Sequence, residues 1–407
     1  MLRQTVNKSK GNFLNYSVFQ FVSEINAKAW NQVVQEKNIY ATLPYLLAME
    51  KSLGNELGFR YLLFFDTDQS PVAIAVIQCL NFIDKGLEDK QEVCRIRNKI
   101  KKKLLTKNGI NMMTCGTPFA SGENGFIFSD LISSEAAYEN LANALNKLQK
   151  SENKSIDSPV ILFKELFPKS FSSGIGLSKN GFHEFFVDVN MILKVSSKWK
   201  NREDYLNSMV TKFRTKAKTA LKKSDPLLVL DLDKTQIKFH QDSIQNLYLQ
   251  VLEKSSFQFG TLKKDSFLYL KENLKEKFIL KGYFLNEQLI GFSSSFIFNE
   301  ILDANYVGIN YSLNQEYALY QRMLYDYVEL AIEKNCKELR FGRTAEEIKS
   351  SIGARPVPMK LFIKHRNPIA NRILKTIVGT ITPSDYELRK PFKQEFMLSE
   401  LANDSTH

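Results

Sequence analysis

The chain has 407 residues, 43% apolar and 25% charged, with 30 phenylalanines and a net charge of +12. That length supports two to three domains at about 150 residues each, every one large enough to bury a core. No run reaches the ~18–20 apolar residues of a membrane span, MLRQTVNKSKGNFLNY lacks the apolar centre of a signal peptide, and the scattered cysteines and histidines exclude a disulfide framework or a structural zinc site. Reduced thiols and a cytoplasmic setting are expected, with peripheral contact at the inner face of the membrane left open. The positive charge asks for an anionic partner: nucleic acid, a phosphorylated small molecule or an acidic membrane surface.

In chain order, a helical pattern at 30–53 leads into a strand–turn–strand signal at 61–78, turning at Asp66–Pro71. The run RIRNKIKKKLLTK (95–107) holds seven bases and no acid, and reads as a helix or connector inserted between strands. A strand NMMTC, a glycine-bearing loop (116–125), a helix at 134–150 and a strand at 159–166 follow. The stretch 168–182, rich in Gly and Ser, marks a break. The same plan then repeats. Helical residues 247–274 precede a hairpin at 279–298 turning at Asn286–Gln288. A strand ILDANYVGI (301–309), a loop, a helix at 317–335 and a strand KELRFG (337–342) complete it. Two copies of one order imply two similar α/β domains built on mixed sheets.

The segment SMVTKFRTKAKTALKKSD (208–225) carries six bases between Lys212 and Lys223. At 100° per residue, Met209, Val210, Phe213, Ala217, Ala220 and Leu221 share one apolar arc. Lys212, Lys216 and Lys223 line one edge of it, and Arg214, Lys218 and Lys222 the other. No acid lies between 205 and 224 to form the i,i+4 pairs that usually support an exposed charged helix. A docked helix with an anion-facing edge is the functional expectation, and a solvated face of snorkelling lysines is the structural one. Arg214 is the best phosphate candidate, because a guanidinium grips phosphate bidentately. In GRTAEEIKSSIGA (342–354), Thr344 and Glu347 have capping-box spacing and Gly353 suits the position after a helix at about 345–352. Arg343 precedes this helix and Lys349 is its base.

These two segments carry a family resemblance. KFRTKAKTALKKSD (212–225) resembles the basic helix of FemAB-like proteins. GRTAEEIKSSIGARPVPMKLFI (342–363) is similar to their terminal G-x-x-x-FK-x-x-x-G segment, with Ile348–Lys349 in place of Phe–Lys. The resemblance covers roughly residues 20–365 and implies two tandem acyltransferase-type (GNAT) domains. The expected boundaries are 1–175, 176–366 with the active cleft, and 367–407 as an extension. It implies an N-acyltransferase that moves an acyl group from a thioester, on CoA or a carrier protein and without a metal, to the amine of an anionic or phosphate-bearing acceptor of cell-envelope or lipid biosynthesis. An aminoacyl-tRNA donor, or a non-catalytic binder of nucleic acid or anionic lipid, are the alternatives. By the same resemblance Arg214, Lys218, Arg343 and Lys349 bind substrate. The cleft is expected where the 301–309 strand leaves its neighbour. There Asp303 is a candidate base, with Asn305 on its face, and Tyr306 or Tyr320 is a candidate proton donor. The segment NYSLNQEY before the 317 helix has no glycine, whereas acetyl-CoA-using members carry a glycine loop that cradles pyrophosphate. His183 reads as structural. No G-x-S-x-G or phosphate-binding loop is present. In NPIANRILKTIVGTI (367–381), Ile369, Ile373, Leu374, Ile377 and Val378 share one side, which either packs on the second domain or lies on a membrane.

Overall fold

The structure, a computed structural model, describes residues 13–82, 109–151, 158–254, 260–380 and 386–404; the basic run 95–107 lies outside the described residues. In chain order the first strands are β1 (Asn15–Phe19), β2 (Gly58–Phe65), β3 (Pro71–Phe82), β4 (Ile110–Cys115), β5 (Phe126–Phe128), β6 (Val160–Leu166) and β7 (His183–Phe186). They continue as β8 (Asn190–Lys194), β9 (Leu228–Asp231), β10 (Phe278–Leu285), β11 (Gln288–Phe298), β12 (Ile301–Ile309), β13 (Glu338–Arg340), β14 (Arg355–Val357) and β15 (Lys360–His365).

Two compact units result. The first comprises Met1–Asp188, Ser256–Tyr269 and Pro358–Pro383, and the second Val189–Ser255, Leu270–Val357 and Ser384–His407. The first unit's sheet runs β1-β2-β3-β4-β6-β15-β7, with β5 also on β3, and only the β4–β6 pair is parallel. The second unit's sheet runs β14-β8-β13-β12-β11-β10-β9, and only β12–β13 is parallel. The fold is therefore the repeated mixed α/β plan expected from the sequence. In the second unit, β10 to β12 are joined by two-residue turns, Asn286–Glu287 and Asn299–Glu300, all four residues at positive φ. An asparagine enters that region readily, and the mirror-image turn it allows matches the twist of the strands.

Residues 358–366 pack with the first unit, where the sequence suggested the second. The reason is β15 itself. Phe362 is buried in the core on one face of the first sheet, and Leu361 and Ile363 in the core on the other. A strand buried on both faces needs neighbours on both edges, and β6 and β7 provide them. Helix Pro368–Val378 starts three residues later, capped by the Asn367 side chain. It consequently folds back over its own strand, with Val378 and Leu374 against Leu361, Ile363, Val160 and Leu162. The expectation that it packs on the second domain is thus not met.

The second unit is closed by its last described segment. Pro391 O accepts from Val210 N (2.8 Å), and Lys393 N donates to Ser208 O (2.9 Å). Phe392 packs on Trp199 and Tyr205 and against Gly353, where a Cβ would come within 2.3 Å of its ring. Arg389 pairs with Glu347, and its backbone N–H donates to Ser350 Oγ (3.0 Å). One strap therefore grips both the base of the Arg214 helix and the helix that carries Lys349.

Candidate active site in the second unit

β12 and β13 pair only over Ile301–Asp303 and Glu338–Arg340. β13 stops there and β12 runs on to Ile309, so a wedge opens beyond Asp303. β12 thus parts from its neighbour within the 301–309 strand, the stretch in which the sequence leads one to expect a cleft. In the first unit the loop after β4 is instead tied to the end of β6. Buried Lys164 donates to the carbonyls of Thr117 (3.0 Å) and Ala120 (2.7 Å), and Glu165 Oε2 accepts from Gly122 N (2.6 Å).

A bulge shapes one wall of the wedge. Ser293 opposes Val307 while Ser295 opposes Ala304, so β12 carries one extra residue. Ser294 Oγ fastens it, accepting from Tyr306 N (3.0 Å) and donating to Tyr306 O (3.1 Å). The bulge interrupts the strict alternation expected of Asp303, Asn305 and Tyr306. Asp303 is buried at the closed end, opposite Arg340, and Tyr306 is buried with its ring edge-on to Tyr248. Ser294→Ala removes both bonds to the bulge and is expected to cost about 1–2 kcal/mol, read as a lower urea midpoint. An unchanged midpoint would mean that the strands alone hold the bulge.

The other wall follows β13. Gly342, Thr344 and Ala345 all have positive φ, so Thr344 does not cap the helix as its spacing suggested, and the helix spans Glu346–Ser351. In this conformation the carbonyls of Phe341 and Arg343 converge on Lys349 Nζ, each at 2.7 Å. Gly353, at φ +103, ends the helix as expected, with Ala354 N bonded to Lys349 O and Gly353 N to Ser350 O. Lys349 is 4% exposed. Burial pushes its ammonium down to about 7, and Glu346, which opposes this, outweighs the repulsion from Arg343. A neutral lysine still donates two N–H bonds, one to each carbonyl, and keeps its lone pair.

Tyr320 stands in the first turn of helix Leu319–Glu333. Burial holds its phenol well above the usual range, with smaller contributions from Tyr311 and Glu346. Tyr327, two turns further along the same face, is raised by burial and also feels Tyr320 and Asp303. Electrostatics thus connects Tyr320, Tyr327 and Asp303 on one side, and Tyr320, Glu346, Lys349 and Arg343 on the other. The segment expected to be a loop is a short helix, Tyr311–Tyr317, followed by Ala318 at φ 49. Asn314 Oδ1 then accepts from Tyr320 N (2.9 Å). A side chain of the protein itself occupies one amide at the helix start where a glycine loop would leave it for pyrophosphate.

Helix Thr211–Lys223 docks as its wheel implied, with Phe213, Ala217 and Ala220 buried. Its basic edges separate in character. Lys218 is exposed and pairs with Glu203 across the helices (3.3 Å), and Lys223 donates to Gln315 O (3.3 Å). Arg214 is half-buried, and no hydrogen bond or ion pair involves its guanidinium among the described residues. It sits ten residues before Ser224, about 15 Å along the axis. Ser224 Oγ is what meets Arg322, beside Tyr320. Among the described residues no hydrogen bond or ion pair joins Arg214 to Tyr320 or Lys349, and the 386–393 strap bonds both to the start of its helix and to that of Lys349. His183 lies on β7, in the first unit, where burial lowers its pKa, Lys375 adding to the shift against a backbone hydrogen bond that opposes it.

One buried network escaped the sequence argument. Asp326, 5% exposed, accepts from Arg322 (2.8 and 3.0 Å), Arg202 (2.9 Å) and Tyr283 (3.0 Å). The i,i+4 spacing of Arg322 and Asp326 was its visible signal. Two guanidiniums on one carboxylate lock the orientation of helix Leu319–Glu333 and therefore of Tyr320. No group of His, Cys, Asp and Glu suited to a metal occurs among the described residues, and none of their helices is long and apolar enough to cross a membrane.

No protein-family model matches the chain, and no curated protein does. Solved structures do match. FemX is 12% identical, with a TM-score of 0.53 over 88% of this chain and 99% of its own. A tandem GNAT protein from the clavulanic acid biosynthesis pathway is 8% identical, with a TM-score of 0.52 over 87% and 99%. The C-terminal domain of a provisionally named lysylphosphatidylglycerol synthetase from Agrobacterium fabrum is 8% identical, with a TM-score of 0.51 over 88% and 96%. With two mixed sheets, a wedge between the parallel strands of the second and these structural counterparts, the chain has the FemAB-like tandem GNAT fold.

Proposed function

We propose that the second unit is an N-acyltransferase, moving an acyl group from a thioester to the amine of an acceptor that carries a phosphate or another anionic group. The observation that carries this is Lys349, a buried amine poised near neutrality at the edge of the wedge. Acyl transfer to an amine needs a group that takes the amine's proton as the new C–N bond forms, and a base with a pKa near the working pH does so best. Neutral Lys349 can take it while keeping both carbonyl bonds. The C–S bond then breaks, and Tyr320, held protonated by burial, supplies the proton to the leaving thiolate. Asp303 is an alternative base, buried at the closed end of the wedge, and Tyr306 lines the same strand. Arg214, about 15 Å along its helix from the Ser224 end, takes an anionic group remote from the reacting amine, so the acceptor is an extended molecule; Arg343 borders the wedge, and Lys218, exposed and paired, contributes long-range charge only.

A second reading, with aminoacyl-tRNA as donor, is favoured by the Asn314 side chain on the Tyr320 amide and by the absence of glycine before that helix. Both features leave little for a CoA pyrophosphate. The test offers the full chain an acyl-CoA, an acyl-carrier thioester or aminoacyl-tRNA, with a long-chain amine that carries a terminal phosphate as acceptor, and follows amide formation. Thioester consumption supports the first reading, and ribonuclease-sensitive transfer the second. Salt-sensitive binding of arbitrary nucleic acid with no turnover of any donor would sink both and leave a non-catalytic binder.

A further inference from the structure

Helix Pro368–Val378 presents two different faces. Val378 and Leu374 are held in the first unit's core. On the opposite side Ile369 is 75% exposed and Ile373 37% exposed. Isoleucines at i and i+4 form a single ridge on a helix, and this ridge is left in solvent. Arg366, Arg372 and Lys375 are exposed on the same segment, and no acid occurs between 366 and 380. On the neighbouring strand β7, Glu184 is paired with Lys360 (2.9 Å). The helix is firmly seated by Asn367, whose side chain caps Ile369 N and Ala370 N, and by Asn371, which donates to Gly181 O and accepts from His365 N.

We infer that this face docks the protein on an anionic bilayer, the two isoleucines entering the headgroup boundary and the bases meeting acidic lipid. The pairing of apolar ridge and basic flank decides the partner. Nucleic acid rewards the bases and offers nothing to an exposed isoleucine pair. A folded protein surface would need acids to match Arg372 and Lys375 as well as a groove for the ridge. An anionic membrane satisfies both with one surface. The inference does not depend on the acyl-transfer reading, because it concerns adsorption and not turnover.

The experiment is co-sedimentation of the full chain with vesicles of phosphatidylcholine alone or with phosphatidylglycerol at about a third of the lipid. The wild type is expected to bind the anionic vesicles at least tenfold more tightly, since each base near an acidic surface contributes about fivefold. Raising salt should weaken binding as charges are screened. Ile369→Asp with Ile373→Asp should reduce binding to anionic vesicles at least tenfold. Arg372→Glu with Lys375→Glu should remove the preference for anionic lipid. Ile369→Trp, which keeps the ridge apolar and alters no buried contact, should strengthen binding. Equal binding to both vesicle types would overturn the inference. So would anionic binding that survives the Asp pair unchanged, including the case where nucleic acid competes it away, which would assign the basic flank to nucleic acid.

Discussion

Lys349→Met is expected to lower kcat for amide formation by roughly 100-fold or more, the scale of a lost general base, with a smaller change in KM. The variant also strips the donor from the carbonyls of Phe341 and Arg343, so its stability must be measured beside its rate. The pH dependence separates the two roles. For catalysis by the neutral amine, wild-type kcat/KM should rise with pH and level off above about 7. For stability, a lysine whose folded pKa lies below its unfolded value binds a proton on unfolding at any pH between the two. Stability contributed at this site therefore rises with pH, from about 7 up to the ordinary lysine value of 10.5. The difference in unfolding free energy, wild type minus Lys349→Met, should climb by about 1.4 kcal/mol per pH unit inside that window and be flat below it. A difference independent of pH would show that Lys349 stays charged in its carbonyl cage, and the general-base role would fall with it.

Arg214→Ala is expected to raise KM for the acceptor by about 10- to 100-fold, the value of a charge-assisted hydrogen bond to an anion, while kcat changes little. Melting temperature should stay within about 2 °C, because no bond of the guanidinium is lost among the described residues and surface changes of this kind cost little. Arg214→Lys should recover part of the loss through charge, without the bidentate grip. Lys218→Ala is the internal control. Its partner Glu203 is exposed, the pair is worth little, and KM should barely move. A large fall in melting temperature for Arg214→Ala, with KM intact, would return that arginine to a structural role.

Local pattern made much of this molecule legible. The apolar arc of helix Thr211–Lys223 follows from 3.6-residue periodicity and fixes which face is buried. The turn at Asn286 follows from a residue that tolerates positive φ, and Gly353 from the left-handed position that closes a helix. The repeated order of elements was visible twice over, and with it the mixed α/β class. These features are local in sequence, so nearby residues carry the whole signal.

Contacts distant in sequence decided the rest. KLFIKH at 360–365 looks like a strand of whichever domain precedes it, and only its two buried faces send it between β6 and β7. Thr344 and Glu347 have the spacing of a capping box, but the turn is taken over by the left-handed run that brings two carbonyls to Lys349. The basic helix has no acid in its own sequence neighbourhood, yet Glu203 reaches Lys218 from the preceding helix, and Arg214 is half-buried with no bond to its guanidinium among the described residues. Composition and periodicity determine which residues are charged, apolar or able to turn. Which of six bases is half-buried, which find a partner, and which lysine loses its water, is set by desolvation and by partners that only the tertiary fold brings within reach.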